Sequence, residues 1–306
     1  MENKLAFIMI AVGASLWGII GFFVTYLNVV GFTPTQIVAI RALSASFFLV
    51  LYVLIMNRSL FKINVADSSY FIGTGIFSIV LFNWFLFSAI EETSITIASI
   101  LLYTAPAFVT ILSRILFKEF LTPRKMIALF ITLVGCSFVI GVFPNNEESI
   151  SLYGFILGIG SGFFYALYSI FGKFALKKYN SLTVTVYTFL FAAIAITPFS
   201  GIWSVLYLFT DLKVWMYVIG LGFLSTVLPY LFYTKGLNTV ESSTASIIAT
   251  IEPVVASLIG FLLFREQLVL WQYIGIVFVI TAVIVVQEKP RNTNKNKKNI
   301  KQEVTS

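Results

Sequence analysis

The sequence predicts an all-α integral membrane protein of ten transmembrane helices, arranged as two inverted five-helix repeats. Three observations carry that prediction. Of the 306 residues, 59% are hydrophobic and only 11% are charged, with a mean hydropathy of +0.96, whereas about a quarter of an ordinary soluble domain is charged. Apolar runs of roughly 18 to 25 residues recur from Leu5 to Val286, and a run of that length crosses the roughly 30 Å hydrocarbon layer as a helix. A long stretch of the first half returns in the second at a constant offset of 147 residues. Alternating strands of about ten residues, the mark of a membrane barrel, do not occur, so each run must satisfy its own backbone as a helix.

Leu5–Tyr26 follows the short start "MENK" and is longer than a signal-peptide core, so it reads as a retained helix. Pro34–Met56 holds Arg41 about two turns from its first residue. Tyr70–Ile90 contains Trp84 and runs out at Glu91 and Glu92. Ile95–Phe117 carries a polar stripe of Thr96, Ser99, Tyr103, Thr110 and Arg114. Met126–Phe143 encloses Cys136, the single cysteine, so no disulfide framework exists. Tyr153–Leu176 spaces Gly154, Gly158 and Gly162 by four, a pattern suited to close helix packing. Thr183–Leu206 and Trp215–Lys235 follow, the latter containing Tyr230. Ser243–Phe264 has its own stripe of Ser243, Ser246, Thr250, Pro253, Ser257 and Gly260, with Glu252 in its middle, and Trp271–Val286 closes the set.

Lys and Arg are retained on the cytoplasmic side of a membrane protein. With the first residue inside, the inner segments carry Lys4, Arg58, Lys62, Lys118, Arg124, Lys125, Lys177, Lys178 and six further basic residues between Lys289 and Lys301. The outer loops carry only Lys213 and Arg265. Both termini are therefore expected in the cytoplasm, with the chain in the cell membrane. Much of the +7 net charge lies in residues 289–306, a basic tail expected to be disordered and to lie near anionic lipid, so membrane lipid rather than nucleic acid is the implied partner.

Residues 98–121, "ASILLYTAPAFVTILSRILFKEFL", align without a gap on residues 245–268, "ASIIATIEPVVASLIGFLLFREQL". "LWGIIGFF" from Leu16 is similarly matched by "LYSIFGKF" from Leu167. Five helices is an odd number, so the second repeat must lie upside down on the first, an arrangement that suits two halves rocking about a midplane site. The repeats are placed at residues 1–144 and 145–288.

These residues resemble the EamA family of the drug/metabolite transporter superfamily. The resemblance rests on Leu16 and Trp17, on "FKEFL" at Phe117–Leu121 and "FREQL" at Phe264–Leu268, each followed by a closing helix, and on "IEPV" at Ile251–Val254. It covers the chain up to about Lys289. It implies ten helices in two inverted repeats and export of amino acids or related metabolites. The first repeat departs from the second by having "TAPA" at Thr104–Ala107, so a carboxylate function would belong to one half only.

Glu252 lies near the expected midplane, where an acidic residue costs on the order of 3 kcal/mol. It shares a small-residue face with Ala245, Ala249 and Ala256, and Pro253 leaves a backbone carbonyl without its helical donor. Glu252 is either a substrate or proton site or a hydrogen-bonded contact that fixes helix packing. With no histidine in the chain, proton coupling would fall to a carboxylate, and Glu252 is the only one deep enough. Arg41 either holds a substrate carboxylate with its guanidinium fork, or snorkels outward or pairs with Glu91 or Glu92. Arg114, Lys173 and Lys235 sit near helix ends, where snorkelling or contact with terminal carbonyls accounts for them.

The polar stripes nominate Ser99, Tyr103, Ser246 and Thr250 as cavity-lining residues, packing glue being the alternative. Trp17, Trp84, Tyr168 and Tyr230 are further candidates for cavity walls. No phosphate-binding glycine loop, metal-ligating His/Cys cluster or nucleophile with a histidine base is present. The expectation is a non-enzymatic, cofactor-free, monomeric transporter of a small-molecule substrate, with protons as a candidate coupling ion. Uptake of a metabolite or sugar by the same fold, or a transport-inactive membrane interaction protein, are the alternatives.

Overall fold

Backbone amides find no water inside lipid, and the described residues answer with helices. The computed structural model describes residues 2–141 and 151–287, and no strand occurs among the described residues. Nine helical segments there are long and apolar enough to cross a membrane: Asn3–Val30, Pro34–Met56, Val65–Glu92, Ile95–Phe117, Pro123–Ile140, Leu152–Ala175, Ser181–Phe199, Leu212–Thr239 and Ser242–Phe264. Leu270–Val286, apolar but shorter, is the tenth span. The basic tail, Phe143 and the 144/145 repeat boundary lie outside the described residues.

Starts and stops follow from local chemistry. Thr33 accepts from the amide of Gln36 while Gln36 accepts from the amide of Thr33, a reciprocal cap that opens the second span on Pro34. Single hydroxyl or amide caps from Ser94, Thr122, Ser151 and Asn180 open the fourth to seventh spans. One expected boundary moves. The apolar run 183–206 is not one continuous helix: its α-helix stops at Ile196, just before Pro198, and Gly201 turns the chain at φ 65°. Ile202–Thr210 then forms a 3₁₀ segment, because proline and a left-handed glycine end a helix however apolar its neighbours are.

The fourth and ninth spans are each broken in the middle. Ile95–Leu102 stops at Tyr103 and resumes as Ala105–Phe117, and Ser242–Ala249 stops at Thr250 and resumes as Ile251–Phe264. At the breaks the Thr104 hydroxyl donates to the carbonyl of Leu101 and the Thr250 hydroxyl to that of Ile247, both at 2.6 Å, beside the amides of the same two threonines. The third and eighth spans contain π-helical stretches, Ile72–Leu81 and Gly220–Val227.

The fifth span packs on the tenth, the second on the seventh, the first on the eighth, and the third on the sixth. The sixth also packs on the fourth, and the first on the ninth. Replacing every span by the one five places away carries this set of pairings onto itself. Glycine makes two of the contacts possible. A β-carbon on Gly162 would lie 2.9 and 3.0 Å from the carbonyl oxygens of Leu101 and Leu102, at the break in the fourth span. One on Gly18 would lie 2.8 Å from the carbonyl oxygen of Glu252. Backbone therefore approaches backbone at both broken helices.

The two ends of the bundle are tied unequally. At the end bearing the first residues, Lys178 and the Tyr179 hydroxyl bond Asp67 at 2.5 and 2.7 Å. At the same end, the Tyr187 hydroxyl donates to the carbonyl of Phe61 at 2.7 Å, and buried Lys125 pairs with Glu241. Lys173 donates to the carbonyls of Leu237 and Val240 at 2.6 and 2.8 Å, the helix-end contact expected of it. Arg114 likewise reaches the carbonyl of Glu119, and Lys235 is exposed. At the opposite end the side-chain links between spans are sparser: Gln36 donates to the carbonyl of Gly201 at 3.3 Å and Gln272 to that of Val139 at 3.0 Å.

Candidate functional site

The break in the ninth span places Glu252 in the first turn of Ile251–Phe264, a half-helix that starts inside the bundle. Unpaired amides at a helix start carry partial positive charge, which favours a carboxylate there. Glu252 is half-buried and lines two spaces at once. The larger is a cavity of about 480 Å³, walled near Glu252 by Trp17, Arg41, Phe82, Asn83 and Leu102. It runs to the sparsely tied end of the bundle, where Asn28, Pro34, Glu91 and Ile95 line it. The smaller is a void of about 20 Å³ toward the tied end, lined by Tyr103, Tyr165, Ser246 and Thr250 among others. One carboxylate thus stands between a solute-sized space and a water-sized one.

Neither charged group at the centre of the cavity makes a direct ion contact among the described residues. Two ion pairs occur among the described residues, Lys125 with Glu241 and Lys178 with Asp67, and neither involves Glu252 or Arg41. Glu252 accepts a hydrogen bond from the Tyr165 hydroxyl at 3.2 Å. Arg41 donates through Nε to the Thr226 hydroxyl at 2.9 Å and lies 5.8 Å from the centre of the Tyr230 ring. The expected alternative of a pair between Arg41 and Glu91 or Glu92 is not formed. Trp17 is 5% exposed, packs edge-on against Tyr230 at 4.9 Å, and has no hydrogen-bond partner for its indole N–H. A cation, a carboxylate and an unused donor therefore belong to one apolar pocket, the usual composition of a small-molecule site.

Of the residues named from sequence, Glu252, Arg41 and Trp17 line the large cavity, and Tyr103, Ser246 and Thr250 line the small void. Tyr230 and Tyr168 stand behind the wall. Tyr230 packs against both Trp17 and Tyr168, and the Tyr168 hydroxyl shares a hydrogen bond with Thr234 at 2.5 Å. Ser99 is half-buried and lines neither space. Trp84 is a correction. It is 56% exposed and packs on Phe85 rather than lining the cavity, because successive helical residues are about 100° apart and Phe82 and Asn83 already occupy the inward side.

Tyr165, Asn83 and Thr226 escaped sequence reasoning. Asn83, an amide inside an apolar run, is a signal that could have been read. Tyr165 is one aromatic in a chain that is 17% aromatic, and nothing local distinguishes it.

The helices and the charged cavity together define a multi-pass membrane protein with a solute-sized, one-sided pocket around an unpaired carboxylate. The chain belongs to the EamA-like transporter family, whose sequence pattern matches twice, over residues 4–141 and 152–287. It is similar to a protein of Archaeoglobus fulgidus described as an uncharacterized transporter, with 29% identity over 92% of this chain and 98% of that one. A second A. fulgidus protein with the same description is 32% identical over 65% of this chain and 69% of its own length. The uncharacterized transporter YxxF of Bacillus subtilis is 28% identical over 92% of this chain and 89% of that one. A crystal structure with 16% sequence identity superposes with a TM-score of 0.77, covering 92% of this chain and 96% of that one, and supports the fold. The protein is thus a transporter of this type.

Proposed function

We propose that the protein is a secondary transporter that exports small organic metabolites, amino acids or closely related compounds, by alternating access between two inverted five-helix repeats. The observation that carries this reading is a guanidinium and a carboxylate on one cavity wall, neither in direct ion contact with another residue among those described. A solute bearing both charge signs can make direct contact with each, which an apolar or singly charged solute does not. With the termini in the cytoplasm, as the distribution of Lys and Arg supports, the described state opens to the outside. Uptake by the same fold is the second reading, favoured by that outward mouth.

Purified protein in liposomes, challenged with labelled amino acids, amines and sugars with and without a proton gradient, tests the proposal. Zwitterionic solutes are expected to move, and flux limited to sugars or to simple amines would overturn it. Export and uptake are separated by loading the solute on one side of oriented vesicles. For the orientation, a tag inserted beside Arg265 is expected to be reached by antibody on intact cells and a C-terminal tag only after permeabilisation; the reverse pattern would reverse the sidedness.

A further inference from the structure

The "FKE" and "FRE" motifs place Glu119 and Glu266 at the repeat offset of 147, and their backbones behave alike. The preceding residues, Lys118 and Arg265, both sit at φ 57°, a left-handed conformation that costs a residue with a β-carbon about 1–2 kcal/mol. The amide of Glu119 donates to the carbonyl of Ser113 at 3.3 Å, and that of Glu266 to the carbonyl of Gly260 at 3.2 Å. Each glutamate is thus delivered to its end of the bundle by the same turn.

Their side chains differ. Glu119 is 6% exposed and clasps the start of the ninth span: its carboxylate accepts from the amides of Ser242 and Ser243 at 2.7 and 3.1 Å and from the Ser243 hydroxyl. This clasp lies at the closed end. Glu266 is exposed, lies over Gly260, and has no side-chain hydrogen bond or ion pair among the described residues. At its end, the helix start that matches Ser242 and Ser243 is Ile95 and Thr96. Ile95 is 69% exposed at the mouth of the cavity. Thr96 supplies a hydroxyl where the other repeat has that of Ser243. Among the described residues the side-chain cap there is Ser94, which accepts from the amide of Ile97. The clasp is made where the bundle is shut and unmade where it is open.

We propose that Glu266 is the second of two alternating latches. When the cavity closes at its present mouth, the Glu266 carboxylate takes the amides of Ile95 and Thr96 and the Thr96 hydroxyl, while Glu119 releases Ser242 and Ser243. Glu119 and Glu266 are positioning residues that set which end is open. This rests on the two-repeat transporter reading, but its test needs no solute.

In a Cys136→Ala background, Val109→Cys places a thiol on the small void, to be labelled by a membrane-impermeant maleimide from the side of the termini. The labelling rate reports the population open to that side. Glu119→Gln is expected to raise it about tenfold and Glu266→Gln to lower it about tenfold, since a charge-assisted hydrogen bond is about twice as strong as a neutral one. The double variant should return near wild type. Ser243→Ala and Thr96→Val should shift the rate in the same opposite directions, and they keep the test alive if Glu119→Gln fails to fold. Shifts of the same sign, or a Glu266→Gln rate within twofold of wild type, would overturn the latch. Either result can occur whether or not the solute panel shows transport, so the two proposals fail separately.

Discussion

Glu252→Gln is expected to cut net flux by about 10- to 100-fold and to flatten its dependence on pH. Glutamine keeps the size of the side chain and can still accept from the Tyr165 hydroxyl, now 3.2 Å from the carboxylate. It removes the negative charge that shares the cavity with Arg41, which is in no ion pair among the described residues. The magnitude is that of one hydrogen bond to a charged group, about 1.5–3 kcal/mol. Glu252→Asp, which shortens the arm and keeps the charge, should retain the pH response at lower flux. Flux through Glu252→Gln liposomes with an unaltered pH profile would show that the carboxylate serves packing alone.

Glu241→Ala is expected to destabilise the protein by about 3 kcal/mol, because it strands the Lys125 ammonium in the interior. Lys125 is 1% exposed, and besides Glu241 its ammonium donates to the carbonyl of Phe120 at 3.2 Å. The 42% exposure of Glu241 puts the expected cost at the lower end of the range for breaking a buried pair, about 3–5 kcal/mol. The partner change distinguishes this from loss of packing. Lys125→Met together with Glu241→Ala removes the stranded charge and should recover most of the loss, which unfolding in mixed micelles can measure. A double variant as unstable as Glu241→Ala would assign the effect to the shape of the site instead.

The membrane-spanning plan was legible in the sequence because hydrophobic length is a local property: about 20 apolar residues suffice to call a crossing helix without knowledge of its neighbours. The exception, the last part of the run 183–206, failed for an equally local reason that hydropathy does not register, namely Pro198 and Gly201. Glu252 was legible because a carboxylate in such a run demands an explanation. Trp84 misled because an aromatic inside a span is as well suited to lipid as to a cavity, and only the direction of Phe82 and Asn83 decides between them. The partnership of Tyr165 with Glu252 joins residues 87 apart in sequence and leaves no trace in either neighbourhood.

The two glutamates of the repeated motif mark the division between sequence and fold. Their matched spacing and similar flanking residues mark the helices and the duplication, and the structure adds the same left-handed turn at Lys118 and Arg265. Only the tertiary structure decides that one carboxylate is buried on a helix start while the other is exposed. Local composition sets what each segment can form, since backbone hydrogen bonding and transfer into lipid are summed residue by residue. Which end of the bundle is open depends on contacts between segments more than a hundred residues apart, such as that of Glu119 with Ser242.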